Sequence, residues 1–322
     1  MRLTRLLGTL AALLIAAPLA AATVDWPTRP VTVIAPFPPG GTVDIVARLI
    51  GQKLGAELGK PFVIENKSGA GGSIGTAAMV HAAPDGYTFE VNHMGLAFNA
   101  ALYDNLGYDT LRDVVPVAYV GATPNVLVEN NKFPPKTVAQ FLALAKERPG
   151  TINYGSGGIG SAGHLPMELL QSATGIKLVH VPYKGNGPAI VDLISGQIQV
   201  MLATIPAMMP YITSGQLHAI ATSGSHRSSA LPDLPTLDEA GVKGFDVADM
   251  LGLQGPAGMS PAVVARLQSA IAKIMREPAM AERMKTLGMG MQENGTANYV
   301  QFMKDDLESY TKVIDRLGLR RK

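Results

Sequence analysis

The residues with chemistry to offer cluster in glycine-rich loops. Pro36-Phe37-Pro38-Pro39-Gly40-Gly41-Thr42-Val43-Asp44 and Ser68-Gly69-Ala70-Gly71-Gly72-Ser73-Ile74-Gly75 each follow an apolar strand and open a helix. A loop with little side-chain bulk leaves backbone N–H groups free at the positive end of a helix, where an anion binds without needing a cation. Tyr154-Gly155-Ser156-Gly157-Gly158-Ile159-Gly160-Ser161-Ala162-Gly163-His164 repeats the arrangement. Thr42, Ser73, Ser156 and Ser161 add hydroxyls to these amides. Any one such loop also reads as a plain strand-to-helix turn. Three at equivalent positions point to a shared site, and the expected guest is a carboxylate.

Competing chemistries find less support in the spacing. Gly158-Ile159-Gly160-Ser161-Ala162-Gly163 fits the dinucleotide fingerprint, but the required acid about 20 residues on is missing; residues 179–185 offer Lys184 instead. No cofactor is expected. Gly71-Gly72-Ser73-Ile74-Gly75 fits the nucleophile-elbow pattern, yet the preceding strand ends too early, at Glu65 or Asn66, and no His lies beyond His226. A Ser hydrolase centred on Ser73 is therefore the alternative from another class. His81, His93, His164, His180, His218 and His226 never pair at helical ligand spacing, so no metal is expected. His164 starts a helix beside an anion loop, as a ligand contact or as a structural end. Lys184 reads either as an attractor of a carboxylate or as a solvated side chain, and Tyr183 either lines a cleft or packs.

Strands must alternate with helices to position these loops. The apolar runs at 31–37, 62–65 and 87–91 read as strands, with helices at 44–58 and about 73–82 between them, a βαβαβ unit that implies a parallel sheet. A second unit starts near Val117, with strands at 125–128, 152–154, 178–181 and 198–202 and helices at 137–147, 162–174 and 187–194. A short strand at 219–222 leads into a polar stretch, 223–229, that reads as a crossover. The tail reads as helical, with Ser260 and Thr296 as caps. In open parallel sheets ligands sit beyond the carboxyl ends of the strands, and the three loops converge there.

Composition removes several partner classes. Arg2 and Arg5 precede a 14-residue apolar run, Leu6 to Leu19, that ends in Ala20-Ala21-Ala22. This reads as a secretory signal peptide cleaved near Ala22, too short for the roughly 20 residues of a membrane span. No cysteine occurs, so neither disulfides nor a lipoprotein anchor is expected. Removing the two leader arginines from 27 basic residues leaves 25 against 25 acidic, a neutral chain unsuited to nucleic acid. At about 300 residues after processing, and with 47% hydrophobic residues in the whole chain, there is enough for one large or two ordinary α/β domains.

Taken together, the first two loops, Ala82-Ala83-Pro84-Asp85-Gly86-Tyr87-Thr88, Val181-Pro182-Tyr183-Lys184-Gly185, Leu231-Pro232-Asp233-Leu234-Pro235-Thr236 and Gly255-Pro256-Ala257-Gly258 resemble the Bug family of periplasmic binding proteins. These are the TctC-like receptors of tripartite tricarboxylate transporters, and the similarity runs in order along the mature chain. The resemblance implies an α/β, two-domain Venus flytrap of the type II class, each domain a mainly parallel sheet flanked by helices. It implies no enzymatic activity, capture of a small organic carboxylate, and delivery to membrane permease subunits. A subunit that presents its ligand to a sensor kinase is a further reading, and a periplasmic monomer is expected. The domains are then 23–120 with 224–322, and 121–223, hinged near 120–123 and 223–225.

Carried onto this chain, the family's carboxylate site falls on Phe37, Pro39, Gly40, Gly41, Thr42 and Asp44, then on Ala70, Gly71, Gly72 and Ser73. Ser156, Gly157, Ser161 and His164 match the third segment, with Tyr183 and Thr204 completing the set. Related receptors often carry an acid where this chain has Gly196-Gln197-Ile198-Gln199 and another where it has Ala203-Thr204. An acid after the strand would suit an ammonium group, so its absence favours simple organic or aromatic carboxylates.

Overall fold

The computed structural model describes residues 25–93, 95–290 and 295–321. The expected signal peptide, its cleavage point and the side chain of Thr296 lie outside the described residues.

The first unit runs β1 (Val31–Ala35), α1 (Thr42–Leu58), β2 (Phe62–Asn66), α2 (Ser73–Val80), β3 (Thr88–His93), α3 (Gly95–Leu102) and the single-turn α4 (Thr110–Asp113). A long strand, β4 (Val114–Asn130), carries the chain into the second unit. There follow α5 (Val138–Glu147), β5 (Asn153–Ser156), α6 (His164–Thr174), β6 (Val179–Pro182), α7 (Asn186–Ser195), β7 (Val200–Thr204), α8 (Ile205–Thr213) and β8 (Leu217–Thr222). The chain returns through β9 (Ala248–Pro256) and ends in α9 (Pro261–Met275), α10 (Pro278–Thr286) and α11 (Gly295–Leu317).

Local sequence accounts for these elements. In α1, Val43, Val46, Ala47, Ile50 and Leu54 recur at helical spacing and are buried, and Gly59 stops the helix in the left-handed conformation at φ 75°. Thr137 caps α5 by accepting from the Gln140 N–H at 3.3 Å. Ser260 does not cap α9 with its side chain, contrary to expectation. Pro261 holds the first turn, and the Ser260 carbonyl takes the Val263 and Val264 N–H groups instead.

The result is a two-domain α/β fold with a nine-stranded arrangement among the described residues, ordered β2-β1-β3-β9-β4-β7-β5-β6, with β8 beside β4. Each half has the expected parallel core: β2, β1 and β3 in the first, β6, β5 and β7 in the second. The strands that join the halves are antiparallel to these cores' inner edges, because β9 must run back between β3 and β4, and β4 meets β7 and β8 head to tail. β4 pairs with β9 up to Pro124 and with β7 and β8 from Asn125 on.

Strand β9 was not legible as a strand. Its Gly252 and Gly255 look like breakers, but a Cβ at Gly252 would overlap the Tyr299 ring of α11, and one at Gly255 would meet Met259. The segment after β8, assigned from Gly224 to the first domain, instead sends Leu237, Val242 and Phe245 into the core of the second half with Phe141, Tyr154 and Leu170. Ser223 ties the two crossing strands together. Its Oγ accepts from the Asn125 N–H at 2.8 Å and donates to the Val247 carbonyl at 2.5 Å.

Among the described residues no helix is long and apolar enough to cross a membrane.

Candidate functional site

Four helices begin at one small cavity between the halves. Gly41, Thr42 and Val43 open α1, Gly163 precedes α6, Asn186 and Gly187 open α7, and Thr204 precedes α8; all line a cavity of about 40 Å³. At none of these four helix starts does the N-cap side chain bond back to the first turn. Phe37, Pro38, Pro39, His93, Gly157, Ser161, Ala162 and Asp249 complete the wall. Helix starts without a side-chain cap turn the positive ends of four dipoles, and first-turn N–H groups, towards a common point, although in α6 the His164 N–H is already taken by the Ser161 carbonyl at 3.0 Å. No Lys or Arg lines the cavity among the described residues. Any anion there is held by neutral donors.

The halves touch across this cavity. Thr42 Oγ1 and Thr204 Oγ1, from α1 and from the end of β7, are 2.6 Å apart in a hydrogen bond. A Cβ at Gly71 or Gly185 would overlap the Ile159 carbonyl oxygen or the Pro38 ring of the other half. This is a closed arrangement.

A wider groove of about 520 Å³ lies outside the cavity, lined by Phe37, Ala70, Gly71, Gly72, Gly157, Ile159, Tyr183 and Lys184 among others. Of the residues nominated from sequence, Phe37, Pro39, Gly41, Thr42, Gly157, Ser161 and Thr204 face the inner cavity. Ala70, Gly71, Gly72 and Tyr183 face the groove, and the Tyr183 hydroxyl is spent on Asp192 Oδ2 at 2.7 Å. Gly40, Asp44, Ser73, Ser156 and His164 line neither.

Those five shape the loops. Asp44 accepts from the Gly40 N–H at 3.0 Å and from Asn66 Nδ2 at 2.9 Å, and pairs with Arg48 at 2.9 Å. Burial opposes its ionisation, but Arg48, the Gly40 amide and Asn66 outweigh burial and hold the carboxyl below the usual range. Gly40 itself sits at φ 84°, a conformation that suits glycine. Ser156 is fully buried, with Oγ 2.7 Å from His180 Nε2 and accepting from the Gly158 N–H at 3.2 Å. His164 stacks on His180 with ring centres 4.4 Å apart, and burial lowers its pKa to about 3, so it is neutral. The Ser73 hydroxyl is buried near Tyr108 with no histidine to activate it, which removes the nucleophile of the hydrolase alternative.

His93 and Asp249 escaped the sequence reading. They lie on neighbouring strands β3 and β9, with His93 Nδ1 and Asp249 Oδ1 3.5 Å apart. The Gly95 N–H donates to His93 Nδ1 at 2.7 Å, which leaves the ring proton on Nε2. Burial lowers this histidine's pKa to about 3, and Phe37 stacks on it at 4.7 Å. It is a neutral donor in the cavity wall. With β9 unrecognised, nothing in the sequence brought Asp249 to the site, and the acid expected to be missing after β7 has a counterpart from another strand.

The profile of the tripartite tricarboxylate transporter family receptor, TctC, matches residues 46–319. The chain belongs to this receptor family. The TctC family is one of solute-binding receptors, not of enzymes. Protein BugT of Bordetella pertussis is 35% identical over 328 residues, covering 100% of both chains. Among solved structures, R. palustris Rpa4515 with adipate superposes with a TM-score of 0.88 at 32% identity, over 91% of this chain and 99% of that one. MatC from Rhodopseudomonas palustris with bound malate gives 0.85 at 32% identity, over 90% and 100%. Two TctC-like receptors of this shape therefore hold dicarboxylates.

Proposed function

We propose that the chain is an exported periplasmic receptor that captures a small organic carboxylate in the cleft between its halves and releases it unchanged to the permease subunits of a tripartite tricarboxylate-type transporter. The observation that carries this reading is the convergence of four uncapped helix starts on one cavity with no cationic side chain. An array of amides stabilises a carboxylate by charge-assisted hydrogen bonds, each contributing roughly 1.5–3 kcal/mol. The bound adipate and malate of the two similar receptors support the ligand class.

Closure follows a hinge at the two crossings. The first half is 25–124 with 248–321, and the second is 125–247, with bending at Pro124–Asn125 and Val247–Ala248 where Ser223 ties the strands. The mature chain begins near Thr23, checked by N-terminal sequencing of protein from the periplasm; recovery of intact Met1 from the cytoplasm would refute export.

Calorimetry and mass spectrometry against a library of mono- and dicarboxylates test capture without turnover. One carboxylate should bind per chain and be recovered intact, whereas consumption of any bound acid would sink the reading. Thr42→Val and Thr204→Val should each weaken binding by about tenfold, 1.4 kcal/mol, and the double variant by much less than the product. Independent, fully multiplicative effects would show that the Thr42–Thr204 bond does not act in the bound state.

A further inference from the structure

Beside the inner cavity lies a second chamber of about 20 Å³, lined by Phe98, Asn125, Leu165, Val247 and Tyr310, and sharing the wall of Ser161, Ala162 and Asp249 with the first. Asn125 is fully buried, and neither its Nδ2 nor its Oδ1 has a hydrogen-bond partner. The Ser161 hydroxyl, also buried, has none. Asn125 is paired with Thr204 in the antiparallel register of β4 and β7, so the two side chains leave the same face of the sheet. Thr204 faces the cavity, and Asn125 therefore faces the space beside it. A buried primary amide with both ends unpaired costs stability, and such a group persists where something else completes it.

We propose that this chamber receives the far end of the ligand and selects a monocarboxylate whose other terminus is uncharged and both donates and accepts a hydrogen bond, a primary carboxamide foremost. The proposal rests on the carboxylate reading above. A carboxamide matches the Asn125 amide donor to acceptor in both directions. A second carboxylate would satisfy Nδ2 alone and leave Oδ1 unpaired. No Lys or Arg stands in the chamber wall among the described residues to offset a second charge. The remaining walls, Phe98, Leu165, Val247 and the Tyr310 ring, suit an apolar linker. A chamber of this size takes one water or one terminal group, so water is the competitor the experiment must separate.

Calorimetry on the purified chain would compare succinamate, glutaramate and adipamate with succinate, glutarate and adipate, and with the unsubstituted butanoate, pentanoate and hexanoate. One ω-amide should bind at least about tenfold more tightly than both its diacid and its plain acid. Asn125→Leu should erase that preference to within about twofold while leaving the ligand-free melting temperature unchanged or higher, because it removes an unpaired buried amide. The ranking on the unaltered chain stands as a test even where the variant fails to fold. Diacids that bind as tightly as the ω-amides would overturn the chamber's role and leave carboxylate capture intact. Plain acids that bind as tightly as the ω-amides would mean that the chamber holds only water, with the same consequence. If no carboxylate of any class binds, the receptor reading falls and takes this inference with it.

Discussion

Gly71→Ala should leave both halves folded and weaken ligand binding by at least about a hundredfold, close to 2.7 kcal/mol. Gly71 sits at φ 61° in the loop before α2, and a Cβ there would overlap the Ile159 carbonyl oxygen of the opposite half. That oxygen belongs to backbone and has no rotamer by which to move aside. The overlap exists only when the halves meet, so the substitution acts on closure. Backbone strain is a separate effect, on the order of 1 kcal/mol for a left-handed alanine. Gly59→Ala isolates it, since Gly59 has φ 75° and open space around the added Cβ at the far end of α1. Calorimetry should show near-normal affinity for Gly59→Ala and a collapse for Gly71→Ala. Small-angle scattering of Gly71→Ala with ligand should keep the radius of gyration of the ligand-free chain. Full affinity in Gly71→Ala would show that the contact between these two loops is no part of the bound state.

A second large effect is expected from Glu90→Gln, read in the pH dependence of stability. Glu90 on β3 is fully buried and accepts from Thr76 Oγ1 at 2.8 Å, Asn92 Nδ2 at 3.1 Å and Gln254 Nε2 at 2.9 Å. Burial pushes its pKa up to about 8, and the three donors only partly oppose this. In the unfolded chain the same group ionises near 4.5. The stability gained from holding the proton is complete below pH 4.5 and is lost as pH rises towards 8, about 5 kcal/mol in all. That loss corresponds to roughly 10 °C of melting temperature for a chain of this size. Glutamine keeps the shape and cannot ionise, so the difference in melting temperature between variant and parent should grow steadily across that interval. A constant difference would mean that Glu90 is already ionised in the folded state. The same network reaches the site, since Thr76 Oγ1 also donates to the Gly72 carbonyl at 3.3 Å in the second glycine loop.

The first five elements were legible because each apolar run is punctuated by glycines that do what their position suggests. Gly40 and Gly59 adopt left-handed conformations, and α1 buries the stripe its spacing announces. Spacing identifies a loop, however, and not the direction in which a side chain turns. Asp44, Ser156 and His164 were nominated with the loops they occupy. All three turn inward, because each finds partners there: Arg48 and Asn66 for Asp44, His180 for the other two. His93, Asn125 and Asp249 were not assigned to the site because long-range pairing alone assembles them. Asn125 belongs to a strand that reads as ordinary apolar sequence, and Asp249 to one whose glycines exist to admit Tyr299 and Met259.

The position of β9 between β3 and β4 sets the order in which the chain can take shape. Synthesis delivers β1 to β4 early, but the strand that hydrogen-bonds both inner edges is residues 248–256, near the end. Until it emerges, β3 and the first half of β4 carry unpaired edges, which are sites for slow folding and for association with other chains. The second half, by contrast, is one uninterrupted stretch from 125 to 247 with its own cores. A nascent chain can therefore settle its second half while its first, made earlier, waits for the C-terminal third.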